Sequence, residues 1–88
     1  MSIKLFLPTS LNYLAKGQDL FEVNGGTVGE CLNQLVSLVP VMKETLFLGQ
    51  RLQPTIKVLV NQEESAEAEV LAKKLNDGDE IHIKPNRH

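Results

Sequence analysis

Between Thr27 and Val39 the chain reads TVGECLNQLVSLV, and its apolar positions recur at the spacing of one helix face. At about 100° per residue, Val28, Cys31, Leu32, Leu35, Val36, Leu38 and Val39 fall within an arc of roughly 160°. Gly29, Glu30, Asn33, Gln34 and Ser37 fill the rest of the wheel. Thr27 and Glu30 have the spacing of a capping box: the Thr27 side chain accepts from the Glu30 N–H, and the Glu30 carboxylate reaches back to the N–H of Thr27. Gly25 and Gly26 allow a sharp turn ahead of the helix. Pro40 ends it, because proline disfavours helical dihedrals in the preceding residue and has no N–H to donate.

Elsewhere the period is two. Residues 2–8 alternate, with Ile3, Leu5 and Leu7 on one side and Lys4 and Phe6 on the other, which predicts a half-buried strand. Thr9 to Gly17 reads as a loop with one helical turn, Leu11, Tyr13 and Leu14 facing inward and Gly17 closing it. A second strand covers 19–23, with Phe21 and Val23 inward. From Pro40 to Pro54 the pattern is irregular, with a short helical turn through Met42 and Leu46. Residues 55–60 alternate again, Ile56, Val58 and Val60 inward and Lys57 and Leu59 outward. Residues 61–65 read as a turn, from which Ser65 caps a short helix over 66–75 with Val70, Leu71 and Leu75 as its contacts. Asn76-Asp77-Gly78-Asp79 is a further turn, and 80–85 a final strand with Ile81 and Ile83 inward.

Strand, strand, helix, strand, short helix, strand gives an α+β fold: a sheet with one face buried against one main helix. A β-grasp, a mixed sheet of four to five strands curled around that helix, satisfies this order. The 88 residues suffice for one core, so the expectation is a single domain over 1–88. A net charge of −2 with dispersed Lys and Arg argues against nucleic acid, which needs a basic stripe. No apolar run approaches the roughly 20 residues of a membrane span. The N-terminus has no signal-peptide pattern, and the one cysteine cannot form an internal disulfide; the expectation is a cytoplasmic protein.

The pattern of motifs resembles a known family. The strand ending Val60-Asn61, then Leu75, the turn Asp77-Gly78-Asp79-Glu80, Ile81 and the closing Pro85 are similar to the MoaD/ThiS sulfur carriers, as are the opening Ile3 to Phe6 strand and the helix start at Thr27, Val28 and Leu32. The resemblance spans essentially the whole chain. It implies the ubiquitin-like β-grasp and a carrier whose C-terminal Gly-Gly is adenylated by an E1-like enzyme and converted to a thiocarboxylate. The sulfur then goes to a molybdopterin, thiamine or amino-acid precursor. It implies no enzyme activity and no bound cofactor in the chain itself. In the family that Gly-Gly lies a few residues past the strand's proline; here Pro85 is followed by Asn86, Arg87 and His88, and that C-terminal Gly-Gly is not in the sequence. Glycines allow close backbone approach in a narrow channel, which β-carbons obstruct. The tail therefore sets the carrier reading beside a second one: a non-conjugated ubiquitin-like interaction subunit of an enzyme complex. The partners implied are an E1-like adenylating enzyme or a synthase or oxidoreductase subunit.

Cys31 sits on the apolar helix face, where a free thiol behaves as a small hydrophobe. His82 and His88 lack companion ligands at metal-binding spacing, so no metal site is expected. Asp77, Asp79 and Glu80 are read as turn residues rather than a catalytic carboxylate pair. Phe6 and Leu59 are the exceptions: apolar residues projecting from the open face of the sheet, exposed to solvent, and therefore a candidate partner surface. The resemblance adds Lys84, which stands where the family has an apolar residue, and Pro85 beside it.

Overall fold

In a computed structural model the chain is described at residues 2–65 and 69–86. β1 (Ile3–Phe6), β2 (Leu20–Val23), α1 (Val28–Leu38), α2 (Met42–Leu46), β3 (Phe47–Leu48), β4 (Arg51–Leu52), β5 (Ile56–Val60), β6 (Glu63–Glu64) and β7 (Glu80–Pro85) follow in order, with 3₁₀ turns at Asn12–Ala15 and Val70–Ala72. Five strands form one mixed sheet in the order β2-β1-β7-β5-β6, and β3 and β4 form a separate hairpin. The chain's first and last strands, β1 and β7, lie parallel at its centre; β2 and β5 flank them antiparallel. This is the ubiquitin-like β-grasp that the sequence predicts.

The alternation explains the core. Ile3, Leu5, Val23, Ile81 and Ile83 are buried on one face of the sheet against Val28, Cys31, Leu32 and Leu35 of α1. Each such side chain contributes about 1.5–3 kcal/mol by leaving water. The helix start is capped as expected in part: Thr27 Oγ1 accepts from the Glu30 N–H at 3.2 Å. The reciprocal bond differs, because the Glu30 carboxylate accepts from the Thr27 hydroxyl rather than from its N–H. Behind the cap, Lys73 to Leu75 run alongside residues 26–28, so that Val28 N–H donates to the Lys73 carbonyl and Leu75 N–H to that of Gly26. Gly25 has a steric role: a β-carbon there would stand 3.0 Å from the backbone N and the Sγ of Cys31.

Several local expectations are corrected. Leu38, the last residue of α1, is 58% exposed, because it lines an open groove beside β2 rather than the core. Tyr13 is exposed, since its segment folds as a 3₁₀ turn with Leu11 and Leu14 packed on the core and Tyr13 between them. The irregular stretch after Pro40 holds α2 and the β3–β4 hairpin, which turns through Gly49 at a φ of +64°. Residues 61–65 do more than turn: Asn61 and Gln62, both left-handed, join β5 to a fifth strand, β6. The helix placed at 66–75 is in the described part only the 3₁₀ turn Val70–Ala72, Lys73 being extended; 66–68 lie outside the described residues.

A candidate partner-docking face

The face of the sheet turned away from α1 carries every second residue of its strands. The register aligns them in rows. Phe6 is paired with Leu20 on one side and His82 on the other, and His82 with Leu59, which in turn faces Glu64. Leu20, Phe6, His82 and Leu59 thus form one stripe across four strands. Phe6 and His82 stack, ring centroids 4.4 Å apart and planes 10° from parallel. The His82 Nε2 lies 3.4 Å from the Glu80 carboxylate. One row further along β7, Lys84 stands opposite Lys57, whose ammonium pairs with Glu64 at 3.0 Å.

Phe6 and Leu59 are therefore brought together on the outer face, but Leu59 is not exposed. It retains 8% of its surface, flanked by His82 and by Glu64, whose ion pair with Lys57 runs beside it. The exposed apolar member is Leu20, at 42%. Pro85 departs from the candidate face: it pairs with buried Ile56, and the alternation puts it on the helix side, half-buried. Asn86 is tied down by its N–H to the Thr55 carbonyl at 2.9 Å and its side-chain amide to that of Pro54 at 3.1 Å. Arg87 and His88 lie outside the described residues.

Sequence reasoning missed His82 and Leu20 as members of this face. Both were legible in principle: Phe21 and Val23 inward require Leu20 outward, and Ile81 and Ile83 inward require His82 outward. It also missed why Val60-Asn61 and the Asp77–Glu80 turn belong together. Asn61, at a φ of +50°, donates through Nδ2 to Asp79 Oδ1 at 3.0 Å and accepts at Oδ1 from the Glu80 N–H at 2.9 Å. Asp79 also accepts from the Asn76 N–H at 2.8 Å. Those two hydrogen bonds, to Asn76 first and Asn61 second, hold the Asp79 carboxyl below its ordinary range.

Cys31 is buried, and desolvation, with a lesser effect from nearby Glu30, pushes its thiol above the usual value, the opposite of what a reactive thiolate needs. Among the described residues no group of three His, Cys, Asp or Glu side chains is placed to hold a metal ion, and no helix is long and apolar enough to cross a membrane.

Solved structures carry the same chain path. The CysO of the Amycolatopsis orientalis BexX/CysO complex is 28% identical and superposes with a TM-score of 0.89, over 98% of this chain and 97% of that one. The chain is thus similar, over nearly its whole length, to ubiquitin-like sulfur carriers. SAMP1 of Haloferax volcanii, 28% identical, matches with a TM-score of 0.84 over 99% of this chain and 97% of its own. CysO of Mycobacterium tuberculosis, 25% identical, matches at 0.86 over 97% and 99%. No family model matches the chain, and no curated protein does.

Proposed function

We infer that this MoaD/ThiS-type protein carries sulfur for the biosynthesis of a cofactor, molybdopterin or thiamine, or of an amino acid, and is itself the substrate of its partners rather than an enzyme. One observation carries the reading. β7 supplies both His82, at the centre of the outer stripe, and, beyond Pro85, the C-terminal tail. A partner gripping the stripe is thereby positioned to receive the chain end. The stripe has the make-up of a docking surface: an aromatic pair and the exposed Leu20, over the covered Leu59 and rimmed by Lys57, Glu64, Glu80 and Lys84. The CysO match comes from a complex with a second protein, which supports a protein partner here as well.

The partner of the activation step is an E1-like adenylating enzyme. The tail carboxylate attacks the α-phosphate of ATP and releases pyrophosphate; hydrosulfide then attacks the acyl-adenylate carbonyl, the C–O bond to AMP breaks, and loss of the proton leaves a thiocarboxylate. A proposed dependence on ATP supports a cytoplasmic location. The 88 residues act in this as one domain.

The test extends the chain past His88 with residues ending in Gly-Gly and supplies an E1-like enzyme of this class, ATP and a sulfur donor, with the chain ending at His88 as comparator. Intact-mass spectrometry reads the exchange of one carboxyl oxygen for sulfur. The extended chain is expected to gain it, more slowly when Phe6→Ser is introduced. No exchange on the extended chain, under conditions where the enzyme thiolates its own carrier, would end the carrier reading.

A further inference from the structure

β2 is an edge of the sheet, and its hydrogen bonding is unfinished. Leu7 N–H donates to the Asp19 carbonyl at 2.7 Å, so the register directs the backbone groups of Phe21 and Val23 to β1 and those of Leu20 and Glu22 away from it. Two glutamines close the ends of this edge. The Gln18 side-chain amide donates to the Leu20 carbonyl at 2.9 Å, and the Gln34 side chain, from α1, accepts from the Asn24 N–H. Between them, the N–H of Leu20 and both backbone groups of Glu22 have no partner among the described residues. Alongside runs a groove of about 590 Å³ between β2 and the end of α1, lined by Leu14, Phe21, Leu38 and Val39 among others.

We propose that the β2 edge accepts an extended, apolar peptide segment of a partner protein as a sixth strand, with its alternate side chains seated in this groove. The backbone atoms specify the occupant. Unpaired N–H and C=O groups on alternate residues match only an extended strand, and they fix which of its residues bond. In an antiparallel arrangement the residues opposite Leu20 and Glu22 make the hydrogen bonds and face the outer side; a basic residue opposite Glu22 complements its carboxylate. The residue opposite Phe21 points toward the groove and must be apolar. Gln18 already makes one of the bonds the incoming strand would make, so its amide guards the site and must be displaced. This edge adjoins the Phe6–His82 stripe at Leu20, whose side chain belongs to the stripe and whose backbone belongs to the edge, and it does not depend on tail chemistry.

The probe is the peptide acetyl-Val-Lys-Ile-Thr-Val-amide, titrated into ¹⁵N-labelled protein. Saturable amide shifts, largest at Leu20 and Glu22, are expected. Gln18→Ala removes the competing hydrogen bond and should tighten binding up to about fivefold. Leu38→Asp, at a residue that is already 58% exposed, should weaken it by about tenfold while leaving the fold intact. The same peptide N-methylated at its Lys and Thr nitrogens should not bind. Equal binding by the methylated peptide, or no saturable shift at millimolar peptide, would overturn the proposal. So would concentration-dependent change at Leu20 and Glu22 without peptide, which would mean that a second copy of this chain takes the edge.

Discussion

The Phe6 ring lies flat on the His82 imidazole, joining the two central parallel strands on the outer face of the sheet. Such a pair is worth about 0.5–1.5 kcal/mol beyond its area. Phe6→Ser and His82→Ala are therefore expected to shift urea midpoints slightly and to weaken binding to an E1-like partner far more, as read by calorimetric titration. Leu59 should behave differently. It is covered, so Leu59→Ser is expected to cost about 1–3 kcal/mol of stability. A strongly destabilised Phe6→Ser with an unaffected Leu59→Ser would show that the roles are exchanged.

α1 offers the same kind of contrast along one helix. Leu35 is fully buried at the centre of the apolar arc, and Leu35→Ala should cost about 2–5 kcal/mol through lost transfer energy and the cavity left behind. Leu38 lies within the same arc of the wheel but is exposed, so Leu38→Ala should cost well under half as much. Ser37→Ala, on the opposite face, removes only a bond from its hydroxyl to the Asn33 carbonyl and should be near neutral. Equal urea midpoints for the Leu35 and Leu38 variants would refute the placement.

The cap at Thr27 is a single side-chain oxygen serving one orphan N–H. Thr27→Ala is expected to lose about 1 kcal/mol, and Thr27→Ser to retain most of it. Glu30→Gln should change little, because its side-chain oxygen can still accept from the Thr27 hydroxyl. Thermal unfolding of the three variants checks this; an unmoved midpoint for Thr27→Ala would mean that the hydroxyl does not carry the cap.

How much was legible follows from what sets each feature. The strands and α1 are imprinted by burial on one face, and period two or period 3.6 records it directly. β3, β4 and β6 have two residues each, too few to show any period. Leu38 shows the limit of a wheel: it says which residues share a face, but not how far the covering sheet extends. Leu59 shows the limit of alternation, which gives the side of the sheet and not whether neighbours and an ion pair will cover it. The candidate face was half visible for a related reason. An apolar Phe6 on a polar face stands out, whereas a histidine there looks ordinary until the parallel pairing of β1 and β7 sets it against that ring.

Asn61 and Asp79 are eighteen residues apart in sequence and bonded at 3.0 Å, and this clamp gives the last prediction. The Asn61 side chain makes two hydrogen bonds while its backbone is left-handed, so two substitutions separate the contributions. Asn61→Gly keeps the backbone relaxed and loses the bonds, at a cost of about 1 kcal/mol; Asn61→Ala loses both, at roughly 1 kcal/mol more. The pH dependence has a definite sign. Because the folded protein holds the Asp79 carboxyl below its ordinary value of 3.8, the folded state binds that proton less readily than the unfolded chain does. The resulting stabilisation is complete above that ordinary value and disappears as pH falls through the lower folded one. Wild type should therefore exceed Asp79→Asn in stability at neutral pH, and the gap should close as the solution is acidified past the carboxylate range. Urea midpoints measured across that range decide it: a gap that stays constant into strong acid would mean that the charge on Asp79 contributes nothing to the clamp.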